Sequence, residues 1–220
     1  MQKKYELTSE SITVLGKKLF RIKALVSFGC VSEGELGGYI ESEKNLDQSG
    51  NAWVYDNARV SGNAWVFSDA EVYGNARVYG NARVFGDARV YGNARVFGNA
   101  RVFGNAEVSG DAWVYGVARV YGNAMVFGDA EVSGDAEVYG NAEVYGNADY
   151  TTIKGFGTLF RTTTFFRCKD KNIRVVCGCF YGTIDEFREQ VKKTRSGKVA
   201  EEYLMIADLM EKHFDIGGKE

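Results

Sequence analysis

The stretch NAWVYD at 51–56, NARVSG at 57–62, NAWVFS at 63–68 and DAEVYG at 69–74 opens a series that continues to NAEVYG at 141–146 and NADY at 147–150. Its period is six. Alanine holds its slot in all 17 copies, from Ala52 to Ala148, and valine holds its slot in the first 16, until Tyr150 closes the series. The Asn/Asp slot fails once, at Val117. Ala and Val stand two residues apart, so in an extended chain both side chains point to one face, while the variable position between them and the aromatic after them point to the other. Each copy therefore reads as one short strand. The following Gly and Asn/Asp supply a corner, since these residues tolerate left-handed backbone that others avoid. So short a strand cannot bury its Ala/Val face alone, and stacked coils around a dry Ala/Val interior are the solution.

Composition agrees with this reading. The chain has 220 residues, 27 glycines and no proline; a proline would remove a hydrogen bond between coils. The repeat resembles the hexapeptide repeat of left-handed parallel β-helix proteins, with its glycine displaced one place by Tyr or Phe. That resemblance implies three hexapeptides per triangular coil, left-handed winding, and five to six coils in a stack roughly 27 Å tall. The leader carries Tyr5-Glu6-Leu7-Thr8, a hairpin-like stretch from Ile12 to Phe28 turning near Gly16-Lys17-Lys18, and Leu36-Gly37-Gly38-Tyr39-Ile40. It is similar to the leader of an uncharacterised bacterial and prophage β-helix family, and physically it is expected to cap the open first coil. After the repeat, Leu159–Cys168 and Ile173–Phe180 read as two strands around Lys169-Asp170-Lys171-Asn172. Thr183-Ile184-Asp185-Glu186 then has the capping-box pattern, and Val199, Tyr203, Ile206, Met210 and Phe214 follow at helical spacing. The expected organisation is an all-β solenoid: an N-terminal β cap over 1–48, the hexapeptide β-helix over 49–153 and a ββαα module over 154–220. That last module resembles C-terminal segments of uncharacterised phage proteins and reads as a second cap or a partner-binding head.

Several function classes are disfavoured. A formal charge of −2 argues against a surface built throughout for nucleic acid or acidic membrane. No run approaches the roughly 18 apolar residues of a membrane span, and Met1–Glu6 leads into a polar segment rather than a signal core; a bacterial cytoplasmic location is expected. Many hexapeptide β-helix proteins are acyltransferases that use a histidine as general base, and related zinc enzymes use three. Here the one histidine, His213, lies outside the repeat, and residues 51–150 contain no insertion that could wall an active site. Cys177 and Cys179 with Cys168 and Cys30 do not match structural-zinc spacing and read as small buried thiols. No catalytic residue, metal site or cofactor is expected, and an acyltransferase-like enzyme is the disfavoured alternative.

The outward positions sort into three walls at a spacing of 18. In the variable slot the first reads Trp53, Glu71, Arg89, Glu107, Met125, Glu143, so opposite charges alternate. The second reads Arg59, Arg77, Arg95, Trp113, Glu131, Asp149, and the third reads Trp65, Arg83, Arg101, Arg119, Glu137. Residues 51–104 carry six arginines against four acids, and residues 105–149 one against eight. Such axial polarity could set the register of a partner or of a second copy. In the aromatic slot the third wall is unbroken: Phe67, Phe85, Phe103, Tyr121, Tyr139. Stacked aromatics stabilise neighbouring strands, and a solvent-facing column of them also suits an interface. These five residues are the candidate oligomer or partner contact, with Arg59, Arg77, Arg95, Arg83, Arg101 and Arg119 as the charged partner surface. Nucleic acid is disfavoured, because the arginines divide between two walls, lysine is absent from the repeat and half the stack is acidic. The expected function is non-enzymatic: a phage or prophage β-helix protein that self-associates as a dimer or trimer and binds a host macromolecule, a protein partner being favoured, with inhibition of a defence or regulatory protein as one form. A structural virion or assembly component is the competing reading.

Overall fold

The computed structural model describes residues 2–214. An N-terminal hairpin of β1 (Tyr5–Val14) and β2 (Lys17–Ala24) leads into β3 (Leu36–Ile40) and a short 3-10 turn, Glu43–Asn45. One strand per repeat follows, β4 to β19, from Trp53–Val54 to Glu143–Val144. These sixteen strands form three walls of parallel sheet. The first wall has six strands and the third has five, while the second has eight because β3, β2 and β1 extend it. Neighbouring coils pair at the expected spacing, as in Arg77 with Arg95 and Val78 with Val96.

The interior is the predicted Ala/Val tube. Ala52 to Ala142 and Val54 to Val144 are all fully buried, each valine contributing about 1.5–3 kcal/mol of apolar burial. Backbone N–H groups from three slots of each repeat donate to the next coil: Arg77 to Ala94 O at 2.9 Å, Tyr79 to Val96 O at 3.0 Å and Asn81 to Gly98 O at 2.7 Å. The corners are close-packed as well as left-handed. Gly80 has φ +74°, and a Cβ there would lie 3.0 Å from the nitrogen of Gly98 in the next coil.

The ladder gives the stack two different ends, and each cap supplies the group its end lacks. Ala, Val and Gly carbonyls face the N-terminal end. There Lys4 Nζ donates to Ala52 O at 2.9 Å, Asn45 Nδ2 donates to Gly62 O at 3.0 Å and Ala64 O at 2.8 Å, and the Tyr39 and Glu41 amides donate to Ala58 O and Val60 O. Lys4 is only 4% exposed and lies over the Phe28 ring; burial pulls its ammonium down to about 8, against the raising effect of Asp47 and Asp69. Backbone N–H groups face the C-terminal end, and side-chain oxygens meet them. Glu131 N donates to Asn147 Oδ1 at 2.9 Å, Ser133 N to the Tyr150 hydroxyl at 3.3 Å and Glu137 N to Thr164 Oγ1 at 3.3 Å.

Details of both caps differ from the sequence expectations. The N-terminal hairpin turns at Leu15-Gly16, earlier than expected. Trp53 occupies an outward slot but is fully buried, because Tyr5 and Phe28 of the cap pack edge-on against it. The C-terminal module has four strands ahead of its helices where two were expected: β20 (Tyr150–Phe156), β21 (Arg161–Arg167), β22 (Ile173–Cys177) and β23 (Phe180–Thr183), an antiparallel sheet. The extra strands arise because the stretch from Tyr150 to Phe156 pairs back on β21, and because Gly178, at φ +64°, breaks the expected second strand into a hairpin. One face of this sheet sends Phe166, Cys168 and Val176 into the solenoid core. The other packs Phe165, Ile173 and Val175 against α1 (Ile184–Thr194) and α2 (Gly197–His213). The Thr183 capping box at α1 forms as expected, with Glu186 N donating to Thr183 Oγ1 and Thr183 N to the Glu186 carboxylate.

Two outcomes follow for denaturant unfolding. Gly80→Ala combines a left-handed φ with a tight backbone contact, whereas Gly134, at φ +64°, has nothing among the described residues within 4 Å of a Cβ placed there; Gly80→Ala is expected to cost roughly 1–3 kcal/mol and Gly134→Ala less. Asn45→Leu orphans the Gly62 and Ala64 carbonyls and is expected to cost about 1–3 kcal/mol for each, with a loss of solubility from the uncovered edge.

Candidate interaction surfaces

Stacking one repeat on the next forces like residues into columns at about 4.8 Å, and the third wall turns this into a continuous run of rings. Phe67 and Phe85 stack at 4.7 Å between centroids, Phe85 and Phe103 at 4.9 Å, Phe103 and Tyr121 at 4.8 Å, and Tyr121 and Tyr139 at 4.6 Å. Trp65 extends the column at one end, 4.1 Å from Phe67, and Tyr181 of the C-terminal module extends it at the other, 4.7 Å from Tyr139. The five candidate residues are therefore brought together. Each is half-buried, because its faces lie against its neighbours and its edge points outward. Burial pushes the Tyr139 phenol up to about 12, with the Tyr121 and Glu137 charges adding to it.

The charged columns are unequal. On the first wall Arg89 lies 3.6 Å from both Glu71 and Glu107, the alternation expected there. On the third wall Arg119 pairs with Glu137 at 3.0 Å, while Arg83 and Arg101 are exposed, with no carboxylate within 4 Å among the described residues. On the second wall Arg59, Arg77 and Arg95 are paired coil to coil, half-buried, and likewise without a carboxylate within 4 Å among the described residues. Arg95 also stacks on Trp113, 4.7 Å from its centroid. Like charges directly opposite on neighbouring strands destabilise a sheet, so the arginine columns weaken the solenoid that carries them.

The N-terminal hairpin gives the second-wall column a surrounding that the repeat alone does not show. Val14, Leu15, Lys17 and Leu19 form the other side of a cleft of about 420 Å³ lined by Arg59, Arg77 and Arg95 with Tyr79. Its position follows from the pairing of β3 with β5 (Arg59–Val60), a long-range register that no local pattern encodes. The largest exposed apolar side chains also lie on the caps: Leu15 at a hairpin tip is 98% exposed, Leu159 and Phe160 at another are 64% and 66%, and Met205 and Leu209 on α2 are 64% and 56%. The Leu15-Gly16 turn and the one-turn spacing of Met205 and Leu209 are the local signals that could have found them.

The cysteines do not share one environment. Cys168 is buried, Cys177 half-buried, and Cys30 and Cys179 exposed, so the expectation of buried thiols is corrected at the last two, which lie in a loop and a tight turn. Burial pushes the Cys168 thiol up to about 11, which keeps it protonated at neutral pH. His213 lies at the end of α2, edge-on to Phe214. Among the described residues no group of three or more His, Cys, Asp or Glu is placed to hold a metal ion, and no helix is long and apolar enough to cross a membrane.

Serine already fills the aromatic slot at Ser61, Ser109 and Ser133, so Phe85→Ser is compatible with the coil and removes two stacked contacts. It is expected to fold and to lose about 1–3 kcal/mol in urea unfolding.

Comparison with curated proteins gives no match. A family model described as the YdcK beta solenoid repeat matches residues 52–67, 70–86, 76–92, 88–102 and 118–134, and so this stretch of stacked coils is similar to a known β-solenoid repeat family.

Proposed function

We propose that the chain is a non-catalytic recognition scaffold that self-associates through its third wall and binds another protein by charge and shape. The observation that carries this reading is the third-wall surface itself: exposed Arg83 and Arg101, without acidic neighbours within 4 Å among the described residues, beside a column of ring edges that runs on into the C-terminal module. Aromatic and arginine side chains together are the enriched composition of protein interfaces. The stack supplies a rigid support for them, since the rings are stacked and the arginine backbones are spaced by the coil pitch. The resemblance of the repeat to left-handed hexapeptide-repeat proteins, and of the leader and C-terminal module to bacterial and phage β-helix proteins, supports the finer form of the same reading, a phage or prophage protein that acts in a bacterial cytoplasm.

Size-exclusion chromatography with light scattering tests the self-association directly. The chain, of 24.3 kDa, is expected to run as a dimer or trimer, and Arg83→Glu with Arg101→Glu is expected to return it to a monomer without loss of circular-dichroism signal. A monomer at tens of micromolar for the parent chain would overturn the self-association.

A further inference from the structure

We propose that the cleft between the β1–β2 hairpin and the second wall is a binding site for a compact polyanion, a small molecule carrying two or three phosphate or carboxylate charges. Arg59, Arg77 and Arg95 stack in register on successive strands. Where this solenoid places arginine elsewhere next to an acid column it pairs it, as at Arg89 and Arg119. In the cleft the one adjoining cation, Lys17, is already matched by Glu41 at 2.9 Å, and Glu41 also accepts from Gly62 N. Three arginines thus line about 420 Å³ of space with no carboxylate within 4 Å of their guanidiniums among the described residues. Unlike Arg83 and Arg101, these three are half-buried. Their partial burial lowers the local dielectric and strengthens any anion contact made there.

The shape limits the ligand. Three arginines span two coil steps, about 10 Å, and the cleft volume falls at the small end of ligand sites, too small for a helix or a duplex. A matching guest is therefore compact, with a charge of about −2 to −3, and an oligophosphate or a polycarboxylate fits that description. Val14 and Leu19 along one side and the Tyr79 ring offer an apolar surface to an organic portion. Trp113 holds the Arg95 guanidinium by a cation–π contact, so one of the three donors is oriented before the anion arrives. The site is independent of the third-wall contact.

Isothermal titration calorimetry of the full chain with sodium tripolyphosphate and, separately, with citrate tests the proposal. At least one probe is expected to bind the parent chain, and Arg77→Ala is expected to weaken it at least tenfold. Arg77→Lys, which keeps the charge and loses the forked donor, is expected to fall between. Arg101→Ala removes the same charge from the third wall and is expected to change affinity less than twofold. Without any probe, Arg77→Ala is expected to melt no lower than the parent, because it relieves repulsion between stacked guanidiniums, and this keeps a binding loss separable from unfolding. Tripolyphosphate alone, citrate alone or both would each support the site and define its chemistry. Binding of neither probe, or an equal loss in Arg101→Ala, would overturn it.

Discussion

Each repeat that is followed by another coil commits three backbone N–H groups to that coil's carbonyls, at 2.7–3.0 Å in the middle of the stack, and most features of the chain are conditions for that ladder. It excludes proline from the variable, aromatic and Asn/Asp slots, where the donors recur. It requires corners tight enough for glycine backbone to lie against glycine backbone, as Gly80 does on Gly98. It also makes the two ends of the stack chemically different. One end exposes carbonyls and is closed by an ammonium, a side-chain amide and strand amides; the other exposes N–H groups and is closed by the oxygens of Asn147, Tyr150 and Thr164. Solenoid ends left bare are edges open to pairing with other chains.

The same pitch governs the surface. A residue type that recurs every 18 positions becomes a column about 4.8 Å apart, and the outcome depends on its chemistry. Aromatic rings gain from this, as the Phe67 to Tyr139 stack does. Amides gain by passing one hydrogen bond along the column, as from Asn63 to Asn81 to Asn99. Alternating charges gain, as at Arg89. Repeated arginine alone loses, so the second- and third-wall arginine columns are the part of the surface that the pitch does not reward.

Much of the fold was legible in the residues because the repeat encodes it locally. The Ala-x-Val spacing fixes the inner face, the Gly-Asn/Asp pair fixes the corner, and a count of 18, the coil length implied by the resemblance to hexapeptide-repeat proteins, places Phe67 beside Phe85 and Arg77 beside Arg95. The helix start at Thr183 was equally local. What was not legible depended on contacts distant in sequence. Trp53 looks outward in the repeat and is buried only because Tyr5 and Phe28 return to cover it. The cleft over Arg59, Arg77 and Arg95 exists only because β3 joins the second wall and carries the hairpin with it. Val117, which interrupts the amide column and is 47% exposed, has no explanation in the structure.

Amide hydrogen exchange of the full chain, followed by NMR, tests the ladder most directly. Ladder donors from Arg59 to Phe127, in all three slots, are expected to exchange together and only through global unfolding, with no gradient from one cap to the other. Rapid exchange of Arg77, Tyr79 and Asn81 while the β20–β23 sheet stays protected would contradict the claim that coil-to-coil hydrogen bonding holds this protein together.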